Sequence, residues 1–396
     1  VKKARAAVIP LLFFILLFAA VPASQNSACA EDNGDETEKS LDDISDEILD
    51  GLDFDGYDEF LNSLQELNDT DIKTLVKKIL DNDDTFDFNY FIEFCLNLLA
   101  GNIGGLLAQV LIIVAATAML SVLQNATSAF AKSSTRKIVF LASYGLIITV
   151  VGVMAASAIS ESRETLSVAE KFTDAVFPVL LTLMTAIGAT TTAAIYQPLV
   201  LAFSSTVLKI TDYVVMPLFY VSFVFAVIGN ISDDIKLEKI SSFAKSAGDW
   251  IIGIVFGLFV TITTSKGITG ASMDSLAIRG AKYALSSYVP VVGGYLKDGF
   301  DIVVAGCIVI KNALGAVSIA VLLIATLAPV IKIVCTIFAL KLAAALTEPF
   351  GDKKISSMLC GVGKALSMLV VASVCTVFVL IVVITLILAS CNMGLV

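Results

Sequence analysis

Histidine is absent from all 396 residues, which removes the side chain that most often serves as a base at neutral pH and as a metal ligand. Ser-His-Asp and Cys-His catalysis and histidine zinc sites are thereby excluded. Charge is scarce as well. Asp, Glu, Lys and Arg make up 16% of the chain against 57% hydrophobic residues, where a soluble domain carries about 25% and 45–50%. That balance belongs to a chain solvated by lipid. The seven cysteines contain no CxxC pair, and four lie in apolar or membrane-proximal stretches, so they read as buried thiols. Gly361-Val362-Gly363-Lys364-Ala365 imitates a phosphate loop, yet Met358 stands where the first glycine belongs and Ala365 where Ser or Thr belongs, and no strand precedes it. Asp53, Asp55, Gly56, Asp58 and Glu59 imitate a calcium loop with poor first and twelfth ligands, Gly51 and Asn62. No catalytic, cofactor or metal site is expected.

The charge that is present is unevenly placed. Between Glu31 and Glu93 there are 22 acidic and 4 basic residues, whereas from residue 94 onward there are 14 acidic and 19 basic. The net charge of -10 therefore belongs to one short segment attached to a mildly basic, apolar body. Residues 1–30 carry Lys2, Lys3 and Arg5, an apolar run from Ala6 to Ala20, and Ala28-Cys29-Ala30, the order of a cleavable signal peptide. In the acidic segment, 31–85, Leu41, Ile44, Ile48 and Leu52, then Phe60, Leu61 and Leu64, then Ile72, Leu75, Val76 and Ile79 recur at helical spacing. Short amphipathic helices on an acidic extracytoplasmic module are expected. The aromatic-rich run in 86–102 reads as an interfacial helix.

Seven uncharged runs qualify or nearly qualify as spans: Ile103 to Leu123, Ile138 to Ile159, Ala175 to Leu208, Tyr213 to Ser232, Trp250 to Ser265, Asn312 to Ile331 and Ala365 to Ser390. Ala175 to Leu208 is too long for one straight helix, and Pro178, Gly188, the threonines at 190–192 and Pro198 predict a broken helix or two half-helices. Lys132, Arg136 and Lys137, then Lys236, Lys239 and Lys245, then Lys353, Lys354 and Lys364 mark three loops as cytoplasmic. With Ala175 to Leu208 entering and leaving from outside, six crossings and two re-entrant or interfacial regions follow. A shift of 112 residues places Pro178 on Pro290 and Pro217 on Pro329, and a shift of 115 places Lys239-Ile240-Ser241-Ser242 on Lys354-Ile355-Ser356-Ser357. These matches predict a duplicated unit in parallel orientation. The expected fold class is all-α, a polytopic helical membrane protein. Its first span and basic loop cover 103–137, membrane repeats cover 138–249 and 250–364, and the last span and tail cover 365–396.

Charge and helix breakers inside apolar stretches are the candidate functional elements. Lys209 with Asp212, and Lys297 with Asp301, have the spacing of helical ion pairs. Lys311 and Lys332 lack such neighbours and bracket a 20-residue uncharged run. They either snorkel to opposite interfaces or line a polar path. The candidate polar-path or re-entrant residues are Pro178, Gly188, Gln197, Pro198, Pro290, Gly293, Gly294, Asp298, Asp301, Lys311, Asn312, Pro329 and Lys332.

The stretch from Pro178 through Gly188-Ala189-Thr190 to Gln197-Pro198, and Pro290-Val291-Val292-Gly293-Gly294 followed by Lys311-Asn312-Ala313-Leu314-Gly315 and Lys341-Leu342-Ala343-Ala344-Ala345, resemble the stage III sporulation protein AE family of endospore-forming bacteria. The resemblance spans roughly residues 85 to 390. It implies a mother-cell membrane protein facing the forespore, part of a channel or secretion-like complex active during engulfment and needed for late forespore gene expression. It also implies partners: other stage III sporulation membrane proteins, among them a separate cytoplasmic ATPase and ring-forming components, and no nucleic acid. The family supplies no catalytic residues to carry over. A non-enzymatic component, its permease-like element, is the expectation; a stand-alone secondary transporter is the alternative.

Overall fold

A computed structural model describes residues 47–64, 71–80, 88–130, 133–231, 237–288, 293–350 and 353–392; the signal-peptide segment 1–30 lies outside these. The described residues build helices and no strand. In chain order they are α1 (Asp55–Asn62), α2 (Ile72–Leu80), α3 (Phe88–Phe130), α4 (Ser133–Ala186), α5 (Thr190–Ala202), α6 (Leu208–Ile210), α7 (Met216–Ile228), α8 (Glu238–Tyr288), α9 (Gly293–Thr347) and α10 (Lys353–Asn392). Two π-helical turns, Phe203–Val207 and Thr211–Val215, join α5, α6 and α7 into one bulged rod. Six stretches are long and apolar enough to cross a membrane: Leu96–Val122, Phe140–Ala186, Leu208–Ile228, Lys239–Ala284, Gly299–Thr347 and Lys353–Ser390. The chain is therefore an all-α, multi-pass membrane protein.

The run Asn312 to Ile331 is so apolar because α9 is the most enclosed helix, packed by α10, α4, α3 and α8. The outer helices keep their apolar side chains on the surface, as Met119, Val153 and Leu258 do. The predicted interfacial helix is continuous with the first span, since α3 runs unbroken from Phe88 to Phe130. The charged stretch Glu161 to Asp174 likewise leaves α4 unbroken.

The helix junctions that follow α3, α7 and α9 gather at one end of the bundle. Near the start of α4, the Tyr144 hydroxyl donates to the Val227 carbonyl at the end of α7 (2.7 Å). Lys354 at the start of α10 lies 5.6 Å from the Phe140 ring centroid. The two Lys-Ile-Ser-Ser segments perform the same local task there. Ser241 Oγ donates to the Ser222 carbonyl (2.8 Å) and Ser356 Oγ to the Ala344 carbonyl (3.1 Å), each tying a new helix to the one before it. The larger duplication does not extend to the helix breaks. Under the 112-residue shift Gly188, between α4 and α5, falls on Phe300 in the interior of α9.

The acidic segment docks onto the long helices. Tyr57, Phe60 and Leu61 of α1 and Ile72, Leu75 and Val76 of α2 are buried. Their recurrence at helical spacing gives each short helix one apolar face. Tyr57 donates its hydroxyl to Ser318 Oγ of α9 (3.2 Å), and Phe60 meets Phe172 of α4 edge-on at 5.8 Å between centroids. Each buried aromatic side chain contributes about 1.5–3 kcal/mol, so α1 and α2 are bound through packing while their acidic residues face outward. Asp58 Oδ1 accepts the Ile72 N–H (3.1 Å), capping α2 from α1.

Partial burial, with Asp71 and Asp55 nearby, raises the Asp58 carboxyl above its ordinary range. A carboxyl raised in the folded state costs docking free energy once it is ionised, and that cost disappears as pH falls through the window between its raised and ordinary values. Protection of the Ile72 amide from hydrogen exchange is therefore expected to increase on acidification through that window. Asp58→Asn, which keeps an acceptor for Ile72, flattens the dependence; an unchanged pH profile in that variant would remove Asp58 as its source.

Candidate functional site

The break that the sequence predicts inside Ala175 to Leu208 is present at Gly188. Its φ of +91° is a left-handed conformation that glycine adopts without a Cβ penalty. The chain reverses there, so the upper part of α4 and the start of α5 form a helical hairpin. The Gly188 and Ala189 N–H groups donate back to the Thr185 and Met184 carbonyls (3.0 and 2.9 Å), which closes the end of α4.

Asp274 of α8 fixes the other side of the break. Its two carboxylate oxygens accept the Thr191 N–H (2.9 Å) and the Thr192 N–H (2.8 Å). These are amides of the first turn of α5, which has no internal acceptor for them. The carboxylate is 3% exposed, and its negative charge faces the positive end of the α5 dipole. Close approach of α5 and α8 depends on glycine: a Cβ at Gly270 would lie 3.1 Å from Thr192 Cα, and one at Gly267 would collide with the Tyr196 hydroxyl.

Between the arms of this hairpin lies an open cavity of about 560 Å³, most of whose lining side chains are exposed. Pro178 and Gln197 line it together with Asp174, Phe177, Thr182 and Thr185. Of the expected site residues, Gly188 is the turn of the same hairpin and Pro198 lies in α5 beside Gln197. The others lie elsewhere. Pro290 is outside the described residues; Gly293 and Gly294 begin α9, with Asp298 one turn on. Asp301 pairs with Lys282 of α8 (2.7 Å); the side chain of Lys297, its expected partner, lies outside the described ones. Lys311 is fully buried and donates to the Leu388 carbonyl of α10 (3.0 Å), so it does not snorkel. The neighbouring Asn312 Oδ1 is buried without a hydrogen bond. Pro329 is buried within α9. Lys332 pairs with Glu161 of α4 (3.2 Å), beside a Ser162–Ser373 contact of 3.4 Å. Asp212 meets Arg163 (3.9 Å) where its spacing had indicated Lys209. Along α9, Asp301 and Lys332 are about 46 Å apart at 1.5 Å per residue; these residues form separate ties between helices.

Sequence reasoning missed Asp274, Asp174 and Glu161. Glu161 and Asp174 bound the one charge-rich stretch inside an apolar helix, a signal that was available. Asp274 offered none, since its partners are backbone amides 82 and 83 residues away. Gly361 and Gly363 of the phosphate-loop decoy lie in the interior of α10, where Gly361 lets the helix approach Ala226 of α7.

Buried break, cavity and enclosed α9 together define a polytopic helical membrane protein built around a discontinuous hairpin. Residues 70–391 match the family described as stage III sporulation protein AE (spore_III_AE), and the chain belongs to that family. It is 23% identical over 366 residues, 90% of each chain, to the stage III sporulation protein AE of Bacillus subtilis (strain 168). No solved structure matches it.

Asp274→Ala would leave the Thr191 and Thr192 amides without their acceptor, at about 1–3 kcal/mol for the buried Thr192 amide and less for the exposed Thr191. A lower thermal midpoint and faster exchange at those two amides are expected. Wild-type exchange in the variant would show that the cap carries no stability.

Lys332→Met is expected to destabilise more than the double variant Glu161→Gln with Lys332→Met, because the single change strands a partly buried carboxylate. Equal thermal midpoints for the two variants would show that the pair is not coupled.

Proposed function

We propose that the chain is a non-enzymatic, multi-pass component of a channel or secretion-like complex in the mother-cell membrane facing the forespore, and that it supports late forespore gene expression. Membership of the sporulation family carries this reading. The basic junctions at one end of the bundle and the acidic α1–α2 module on its flank support an orientation with the junctions in the cytoplasm and the module outside. In that orientation the basic end meets a separate cytoplasmic ATPase, and the acidic face meets ring-forming stage III membrane proteins. A stand-alone secondary transporter is the second reading, favoured by the hairpin broken at Gly188 and its cavity.

Crosslinking mass spectrometry on the complex from sporulating cells separates the two. The complex reading expects links from Lys73, Lys77 or Lys78 to extracytoplasmic parts of other sporulation proteins, and from Lys353, Lys354 or Lys364 to an ATPase. Deletion is expected to block late forespore gene expression. Normal sporulation with loss of uptake of one solute would replace the complex reading with the transporter.

A further inference from the structure

We infer that the cavity between α4 and α5 is a binding site for a primary ammonium group carrying a short apolar body. This goes beyond the assembly role and does not depend on it, since it concerns binding by the chain alone.

Three hydroxyls of the cavity are arranged to accept hydrogen bonds, whereas Thr190, exposed at its rim, keeps a hydroxyl that can donate or accept. Thr182 Oγ1 donates its proton to the Pro178 carbonyl (2.9 Å) and Thr185 Oγ1 donates its own to the Thr182 carbonyl (2.7 Å). Thr173 Oγ1 is committed in the same way to the Ala169 carbonyl (2.7 Å). A hydroxyl whose proton is engaged on its own helix offers only lone pairs to a ligand. Two prolines add backbone acceptors. Pro178 has no N–H, so the Asp174 carbonyl lacks its i+4 donor, and Pro198 does the same for the Ala194 carbonyl. Asp174 and Ala194 both line the cavity.

Charge points the same way. The Asp174 carboxylate, exposed at the mouth of the cavity, is the one charged side chain in the lining, and among the described residues it makes no ion pair, Lys171 one turn away included. The carboxyl-terminal end of α4, the negative end of its dipole, closes the cavity. The positive end of α5 would oppose a cation, but Asp274 takes up the Thr191 and Thr192 amides there. Gln197 contributes the one side-chain N–H donor group that is not already committed.

Size decides against a bare metal ion. A volume of about 560 Å³ far exceeds an ion with its ligands, and Phe177, Leu181 and Val200 supply an apolar wall. A primary ammonium group has three N–H donors and no acceptor, which complements a set of acceptors around one carboxylate. Such a group comes either from a soluble amine or from the amine headgroup of a lipid.

The test is calorimetric titration of the full chain, in nanodiscs of phosphatidylglycerol, with n-butylammonium chloride. Saturable binding is expected. Tetramethylammonium, which has no N–H, and n-butanol, which has no charge, should bind at least about tenfold more weakly. Asp174→Asn should weaken butylammonium about tenfold or more. Pro198→Ala, which returns an amide donor to the Ala194 carbonyl, should weaken it about threefold while leaving the thermal midpoint unchanged or raised. Repetition in phosphatidylethanolamine discs identifies the source. Undiminished binding assigns a soluble amine, and competitive loss assigns the lipid headgroup. Absence of saturable binding, or binding indifferent to both substitutions in variants of wild-type thermal midpoint, would overturn the site.

Discussion

Length mismatch governs this molecule. Helices α4, α8 and α9 contain 54, 51 and 55 residues, and at 1.5 Å per residue each is roughly 80 Å long, against about 30 Å of hydrocarbon. Each helix is thus longer than one straight crossing of the bilayer core requires. The sequence of α4 marks the transition. Ile138 to Ile159 is uncharged, and Glu161, Arg163 and Glu164 follow at once. Ionised groups settle where water reaches them, which places the apolar zone of α4 between its basic start and Glu161.

Beyond that level α9 and α10 stay apolar, and part of their surface is covered from outside the bundle. The acidic segment provides the cover. Tyr57 reaches Ser318 and Phe60 reaches Phe172, both past the level at which Glu161 pairs with Lys332, because α4 and α9 run antiparallel. A charged outer face with a narrow apolar inner face suits a helix that lies between water and a hydrophobic rod. The apolar faces of α1 and α2 and the apolar character of Asn312 to Ile331 are thus two sides of one contact, although some 250 residues separate them.

Features set by local periodicity were legible in the sequence. The apolar faces of α1 and α2, the spans and the break inside Ala175 to Leu208 all follow from spacing or from a glycine with a conformational reason to be there. Features set by distant partners were not. Lys209 and Asp212 have ion-pair spacing, yet Arg163 from α4 reaches Asp212; spacing identifies candidates on one helix and is silent about neighbours across the interface. Lys332 and Lys311 lacked local partners and found them on α4 and α10. The proposed duplication shows the same boundary. Its Lys-Ile-Ser-Ser segments do the same hydrogen-bonding work at two helix starts, but helix breaks depend on surrounding packing and fall out of register.

Proline and glycine have different consequences in the α4–α5 hairpin, and the difference explains why the cavity is there. Gly188 ends the helix and reverses the chain, while Pro178 and Pro198 remain inside helices and subtract one hydrogen bond from each. In a buried helix the freed carbonyl would be an energetic liability. Here the surrounding threonines turn their protons inward, so no nearby hydroxyl satisfies the freed carbonyls. A hairpin intended only to fill space would gain stability by losing both prolines. Their position next to the exposed Asp174 carboxylate, with Asp274 taking up the opposing helix end from behind, leaves an acceptor surface beside apolar walls. Both arms of the hairpin lie past Glu161, so the acceptor surface sits at the same end of α4 as its charged stretch.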